Sequence, residues 1–236
     1  MKRNELIRQV ALRMDEVTPD ITIEDLTVDG ADGNPLYALI DGLVDAGALE
    51  LFSVAPYWRL PQTDFESKKV EDLPSLFGGR KYIRLKVDDD FLRVAEISCS
   101  DFQRPITEAV PEMSEAGKRQ HNRFLMGKEA KPVGVISYGA WTTGSGNEAV
   151  TELCREIDCY SLPSDTTVTD SSGIEATYIA TPVMPAVTDT TTDIETVVPP
   201  VLVDALEWIV AARTFGARGD ADHAAICQQN AQNLLV

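Results

Sequence analysis

The chain of 236 residues is short of cysteine, histidine and long apolar runs, and each shortage removes a class of function. Its four cysteines, Cys99, Cys154, Cys159 and Cys227, are scattered and form no C-x-x-C pair. That argues against a zinc ribbon or a thioredoxin-type centre and leaves reduced thiols that pack as small apolar groups. With two histidines, His121 and His223, few His-based catalytic triads can be built, and no G-x-S-x-G elbow is present. No apolar run approaches the ~18 residues of a membrane span. The N-terminal MKRNELIRQVALRMDEV is interrupted by Glu5, Arg8, Gln9 and Arg13, so no secretory signal is expected and the protein is expected in a cytoplasm. Cofactors and metals are not expected.

Acid, by contrast, is abundant. The formal net charge is −17, with 38 acidic against 21 basic side chains. Such a chain repels a phosphate backbone, so sequence-specific DNA binding is not expected. Apolar content of 44% and charged content of 25% are ordinary, and the length suffices for a core without staples.

Helical periodicity marks both ends. Leu6, Ile7, Val10, Ala11, Met14 and Val17 form one stripe behind Asn4 as the expected N-cap. Asn34 and Pro35 open a second helix with Leu36, Leu39, Ile40, Leu43 and Val44 inward. Near the other end Pro199-Pro200 starts a third helix, and Arg218-Gly219-Asp220 turns the chain into a fourth, Ala-rich one. Between them, 80–87, 91–98, 132–138, 151–162 and 173–183 read as strands. The Ser/Thr/Gly-rich pieces around 142–148, 164–173 and 188–193 read as loops. Strands in series without intervening helices predict an antiparallel sheet system. The fold class is therefore α+β, with N- and C-terminal helices forming a helical bundle and a central antiparallel β barrel or sandwich. The bundle takes 1–55 and 197–236, and the β domain takes 56–196.

Three candidate sites are weak on spacing alone. Asp88, Asp89 and Asp90 are adjacent, and an extended chain sends adjacent side chains to opposite faces, so they read as a charged turn at a strand entrance. Behind them, Phe91, Arg93 and Ala95 are expected on one face of the strand, with Leu92, Val94 and Glu96 on the other, the Leu92/Val94 face being buried. His223 and Cys227 share a helix face at i, i+4, but two ligands do not close a site. TTGSGNE lacks the Lys-Ser/Thr of a phosphate-binding loop. No catalytic residues are assigned. Candidate partner-interface residues are Arg119, His121 and Arg123 in a local basic patch, Trp208 and Phe215 on the third helix, and the apolar Leu234, Leu235 and Val236.

Several of these pieces together resemble a known family. The strand DDDFLRVAEIS, the segment FQRPI at 102–106, the strand KPVGVI at 131–136 and the Pro-started VPPVLVDALEWIVAARTFGARGDADHAAICQQNAQNLL occur in that order. This order is similar to the head-to-tail connector proteins of tailed phages, the tail-tubular or adaptor ring proteins of short-tailed phages, including ring proteins of crAss-like phages. The resemblance implies a non-enzymatic virion subunit, assembled in the bacterial cytoplasm. It would form a homo-oligomeric ring of twelve copies between the portal protein and other tail or ring proteins. DNA would pass through the ring without specific binding, and no membrane would be involved. A ring of about twelve would carry roughly −200 in total, which disfavours tight DNA retention. The Thr-rich loops at 164–173 and 188–193 depart from the family pattern. Two rival expectations are a β-rich ligand- or carbohydrate-binding module and an enzyme using carboxylates near Asp88–Asp90.

Overall fold

A computed structural model describes residues 1–15, 35–73, 80–122, 124–143 and 150–236. The chain divides into two compact units, one of Met1–Pro61 with Thr181–Val236 and one of Gln62–Ala180. Among the described residues the protein is mixed α+β, with five helices and two sheets.

The first unit carries α1 (Arg3–Arg13), α2 (Pro35–Val54), α4 (Pro200–Ala217) and α5 (Ala221–Leu235). Helix α1 buries Leu6, Ile7, Val10 and Ala11, the stripe its periodicity predicts; Val17 and the proposed cap Asn34 lie outside the described residues. Asn4 does not cap α1. The helix already begins at Arg3, and the Asn4 side chain accepts instead from the Glu5 N–H at 2.9 Å. Arg3 is drawn inward because its guanidinium finds acceptors on three sides. It donates to Asp41 Oδ1 at 2.6 Å, to Asp45 Oδ2 at 3.0 Å and to the Pro185 carbonyl at 3.1 Å. Helix α2 turns a ridge of Tyr37, Ile40, Val44, Ala48 and Leu51 inward. At Gly47 it comes so close to α4 that an added Cβ would stand 2.6 Å from Val210 Cγ2. Pro200 occupies the first turn of α4, where its missing N–H costs nothing. Between α4 and α5 the chain reverses at Gly219, whose φ of +84° is open to glycine without strain. The Asp220 side chain then accepts from the His223 N–H and caps α5.

Residues 181–196 belong to this helical unit. The Met1 ammonium reaches Glu195 at 2.6 Å and Asp193 at 3.3 Å, and the Ile194 N–H donates to the Met1 carbonyl. Asp189 organises the Thr-rich stretch as an Asx turn, accepting from the Thr191 and Thr192 N–H groups and from the Thr191 hydroxyl.

In the second unit the strands are β1 (Thr63–Asp64), β2 (Lys68–Asp72), β3 (Lys81–Lys86), β4 (Phe91–Cys99), β5 (Ala109–Pro111), β6 (Gly134–Thr143), β7 (Val150–Cys159) and β8 (Ile174–Ala180), with the short helix α3 (Glu115–Gln120) between β5 and β6. They form a three-stranded sheet, β1-β8-β4, and a five-stranded sheet, β2-β3-β7-β6-β5. Neither sheet closes, which removes the barrel expectation. The antiparallel expectation also needs one correction: β5 and β6 pair in parallel. The α3 connection between them is long enough for the crossover that a parallel pair requires.

Phe65, Phe91 and Tyr178 pack together with ring centroids 4.9–6.0 Å apart. They share one buried cluster with Ile83, Leu85 and Ile157 of the five-stranded sheet and Val94, Ile97 and Ala176 of the three-stranded sheet. The expected alternation along β4 fails. Phe91, Val94, Ala95 and Ile97 are buried while Leu92 is only half-buried. Two register shifts, between Phe91 and Arg93 and between Val94 and Glu96, each slip the pleat by one residue and bring Phe91, Val94 and Ile97 to the same core.

Candidate functional site

The β6–β7 pair is ten residues long on each strand, and its neighbours pair with less than half of it. Strand β5 pairs with Gly134–Ile136, and β3 pairs with Glu156–Cys159. At the end of this root the Val87 N–H still donates to the Arg155 carbonyl at 3.0 Å, and beyond it no described strand pairs with the outer edges of residues 138–143 and 150–154. The ladder between them nevertheless continues through Tyr138↔Arg155, Ala140↔Leu153 and Thr142↔Thr151, and the two Thr hydroxyls lie 2.9 Å apart.

The root is buried on both faces. One face joins the main core through Ile157 and Cys159. The other carries an ionic network. Arg84 on β3 grips Asp158 on β7 through two parallel bonds, Nε to Oδ1 at 2.9 Å and Nη2 to Oδ2 at 3.1 Å. Its Nε also stands 3.4 Å from Glu156 Oε2, and its Nη1 stands 3.4 Å from Glu71 Oε2. Lys69 reaches Glu71 at 2.6 Å, the Tyr82 hydroxyl donates to Glu71 at 2.6 Å, and the Tyr160 hydroxyl donates to Asp158 at 3.0 Å. Tyr82 and Tyr160 stack, and with Leu73, Met126 and Val135 they make a small second core.

Charges in this network shift as their surroundings demand. Burial opposes the Arg84 charge, but the Asp158 hydrogen bonds and its charge outweigh it, so the pKa rises. Burial likewise raises Glu71, yet hydrogen bonds from Lys69 and Tyr82 overcome it and hold its carboxyl below the usual value. Glu156 is 2% exposed, and burial pushes its carboxyl up despite the pull of Arg84. Its Oε2 receives no hydrogen bond. Gly139 on β6 makes room for this side chain: a Cβ there would lie 1.3 Å from Glu156 Oε1.

The tip contrasts with this. Trp141 is buried under the Lys69 ammonium, 4.1 Å from its ring centroid. Tyr138 is 79% exposed and Leu153 86%, both on the opposite face, and Val150 is exposed too. A cleft of about 400 Å³ opens at the base of this face, lined by Tyr138, Leu153 and Arg155 together with Lys86, Asp88 and Asp89.

The acidic triplet therefore borders this surface. Asp89 and Asp90 are exposed in a turn, and the Phe91 N–H donates to the Asp88 carbonyl. The turn is more tied than a solvated one, because the Tyr178 hydroxyl donates its proton to Asp90 Oδ1 at 2.8 Å. With that proton used, the buried Asp88 Oδ2 has no donor, and burial raises the Asp88 pKa. Among the described residues, no group of three His, Cys, Asp or Glu side chains could hold a metal ion.

The candidate interface residues fall in several places. Arg119 is exposed on α3 and pairs with Glu115. His121 is exposed at the end of α3, 3.6 Å from Glu112, with its ring 5.5 Å from Tyr160. Arg123 lies outside the described residues. Trp208 is half-buried under the Arg13 guanidinium, 4.7 Å from its ring. Phe215 stacks on His223, and the His223 ring Nδ1 bonds Asp220 at 2.7 Å rather than meeting Cys227, which is buried. Leu234 and Val236 are exposed and Leu235 half-buried, and Arg59 donates to the Leu234 and Val236 carbonyls. All four cysteines are free thiols.

Sequence reasoning did not single out Tyr138, Leu153 or Gly139. No helix among the described residues is long and apolar enough to cross a membrane. No protein-family model and no curated protein matches this chain.

Proposed function

We propose that the chain is a structural subunit of a phage head-to-tail connector ring, built of about twelve copies. The ring would sit between the portal and the other tail or ring proteins and surround the path of the exiting DNA. The observation that carries this reading is the tip of the β6–β7 ribbon. Its edges lack strand partners among the described residues, and Tyr138 and Leu153 face outward. An isolated two-stranded ribbon is marginal in water, and exposed edges with apolar side chains mark contact surfaces. A subunit that must grip another chain accounts for such an arm. In this reading the two sheets stack as a sandwich over their shared core, the helices form a bundle, and the subunit has no catalytic role. The net charge of −17 keeps DNA mobile within the ring.

The test is the copy number of this chain in purified particles, together with imaging of the assembled complex. A fixed ring-like number and density between capsid and tail are expected. Absence from particles overturns the reading. The cleft at the ribbon's base favours a second reading, a small-ligand or carbohydrate-binding module, which binding of glycans by the isolated monomer would select.

A further inference from the structure

Strand β3 parts from β7 before β7 ends. Lys86 pairs with Glu156, and the Val87 N–H donates to the Arg155 carbonyl at 3.0 Å. The chain then turns away, the Phe91 N–H donating to the Asp88 carbonyl at 3.1 Å, while β7 extends past that point to Val150. Along a strand the backbone groups of alternate residues face alternate edges. Arg155 faces β3, so the N–H and C=O groups of Leu153 and Thr151 face the same side. Among the described residues nothing bonds them there. The cleft of about 400 Å³ opens at this place, with residues 86–89 on one side and 152–155 on the other.

The backbone selects the kind of occupant. A row of N–H and C=O groups at strand spacing is a template for another extended chain, and a two-stranded ribbon is marginal without a third strand. A helix offers no such row, because its own backbone groups bond one another.

Side chains select the occupant's character. A residue opposite Leu153 shares its face, so an apolar one covers the exposed Leu153 and the nearby Tyr138 ring. Where β3 turns off, Asp88 Oδ2 is buried without a donor and Asp89 is exposed. Glu152 and Lys86 match each other. Of the residues lining the cleft, Arg155 has no acidic partner, and its guanidinium lies over the Phe91 ring at 5.7 Å. Asp88 and Asp89 thus outweigh Arg155, in a chain that carries −17. This field attracts a basic segment and repels an acidic one.

We propose that the open edge of β7 binds an extended, lysine- or arginine-bearing segment of another protein as an added strand. The basic residue meets Asp88 and Asp89, and an apolar residue covers Leu153. The proposal rests on the reading of the ribbon tip as a gripping arm and names what the arm grips.

Selection from a library of short random peptides against the full chain tests it, followed by affinity measurements on a selected peptide. Basic peptides with apolar residues at alternate positions are expected. N-methylation of the peptide residues that face β7 should weaken binding about tenfold, and methylation of the intervening residues should not. Leu153→Pro removes an edge donor without touching the ladder to β6 and should weaken binding by a similar factor; an unchanged melting temperature confirms folding. Should that variant not fold, the N-methyl series reads the same bonds on the wild-type chain. Asp89→Asn should weaken binding, most at low salt, and Arg155→Gln should strengthen it. Failure to select any peptide, or selection of acidic ones, overturns the proposal. N-methyl groups that weaken binding equally at every position overturn the added strand. A wild type that is dimeric in sedimentation and made monomeric by Leu153→Pro also overturns it, because a second copy then holds this edge. Copy number in particles is a separate measurement, so the ring reading stands or falls apart from these outcomes.

Discussion

The root and the tip of the β6–β7 ribbon are the same two strands under opposite conditions. At the root, β7 contributes Ile157 to one core and Asp158 to a bidentate Arg84 grip on the other face. Four residues along the same strand, Leu153 is 86% exposed and its outer edge has no described strand partner. Periodicity alone does not separate them, since both halves alternate. The difference is which neighbours reach them: β3 and β5 end at the root. The root serves folding, and the tip is available for contact.

Substitutions at the root should be the most damaging. Arg84→Ala leaves Glu156, Asp158 and Glu71 without their shared cation and is expected to cost about 3–5 kcal/mol in urea unfolding. A cost within ~0.5 kcal/mol, as for an ordinary surface site, would mean the network contributes little. Next, Gly139→Ala forces the Glu156 carboxylate from its place and should cost about 1–3 kcal/mol. Most of that cost should vanish in a Glu156→Ala background, because the clash is with that one side chain; a simple sum of the two single effects would refute the pairing.

A smaller effect depends on pH. The folded pKa of Glu156 lies above its ordinary 4.5, so the folded state holds this proton more tightly than the unfolded chain. Its contribution to stability is complete below 4.5 and is lost as pH rises through the raised folded value. Glu156→Gln removes that loss. Relative to wild type, the variant should gain stability between acid and neutral pH, read from melting temperatures at each pH. The smallest change is expected at the tip, where Leu153→Arg should alter stability by less than about 0.5 kcal/mol.

Much of the architecture was legible because it follows from local periodicity. Strands β3, β7 and β8 emerged from alternation, α4 from Pro199-Pro200, and the α4–α5 turn from Gly219-Asp220. Strand β2 was missed because KKVED offers only Val70 as an apolar residue, and β5 because three residues set no period. Helix α3 had a readable start in Ser114, whose hydroxyl accepts from the Gly117 N–H, but at six residues it shows no stripe. The bulges of β4 defeated the face assignment, since each inserts a residue that no side-chain pattern announces.

The ionic network was half legible. Arg84 and Lys86 are spaced two apart on β3, as Glu156 and Asp158 are on β7, a pattern for cross-strand pairing. What the sequence could not supply is that Arg84 and Asp158, 74 residues apart, are neighbours. Tyr138 and Leu153 were invisible for a different reason: in an alternating run an exposed apolar residue looks like a buried one.

Amide hydrogen exchange, compared between dilute monomer and concentrated assembly, tests the separation of root and tip most directly. The root amides of 134–136 and 156–159 should be slow in both states. Amides on the outer edges of 138–143 and 150–154 should be fast in the monomer and slow in the assembly. Tip amides that exchange at the same rate in both states would contradict it.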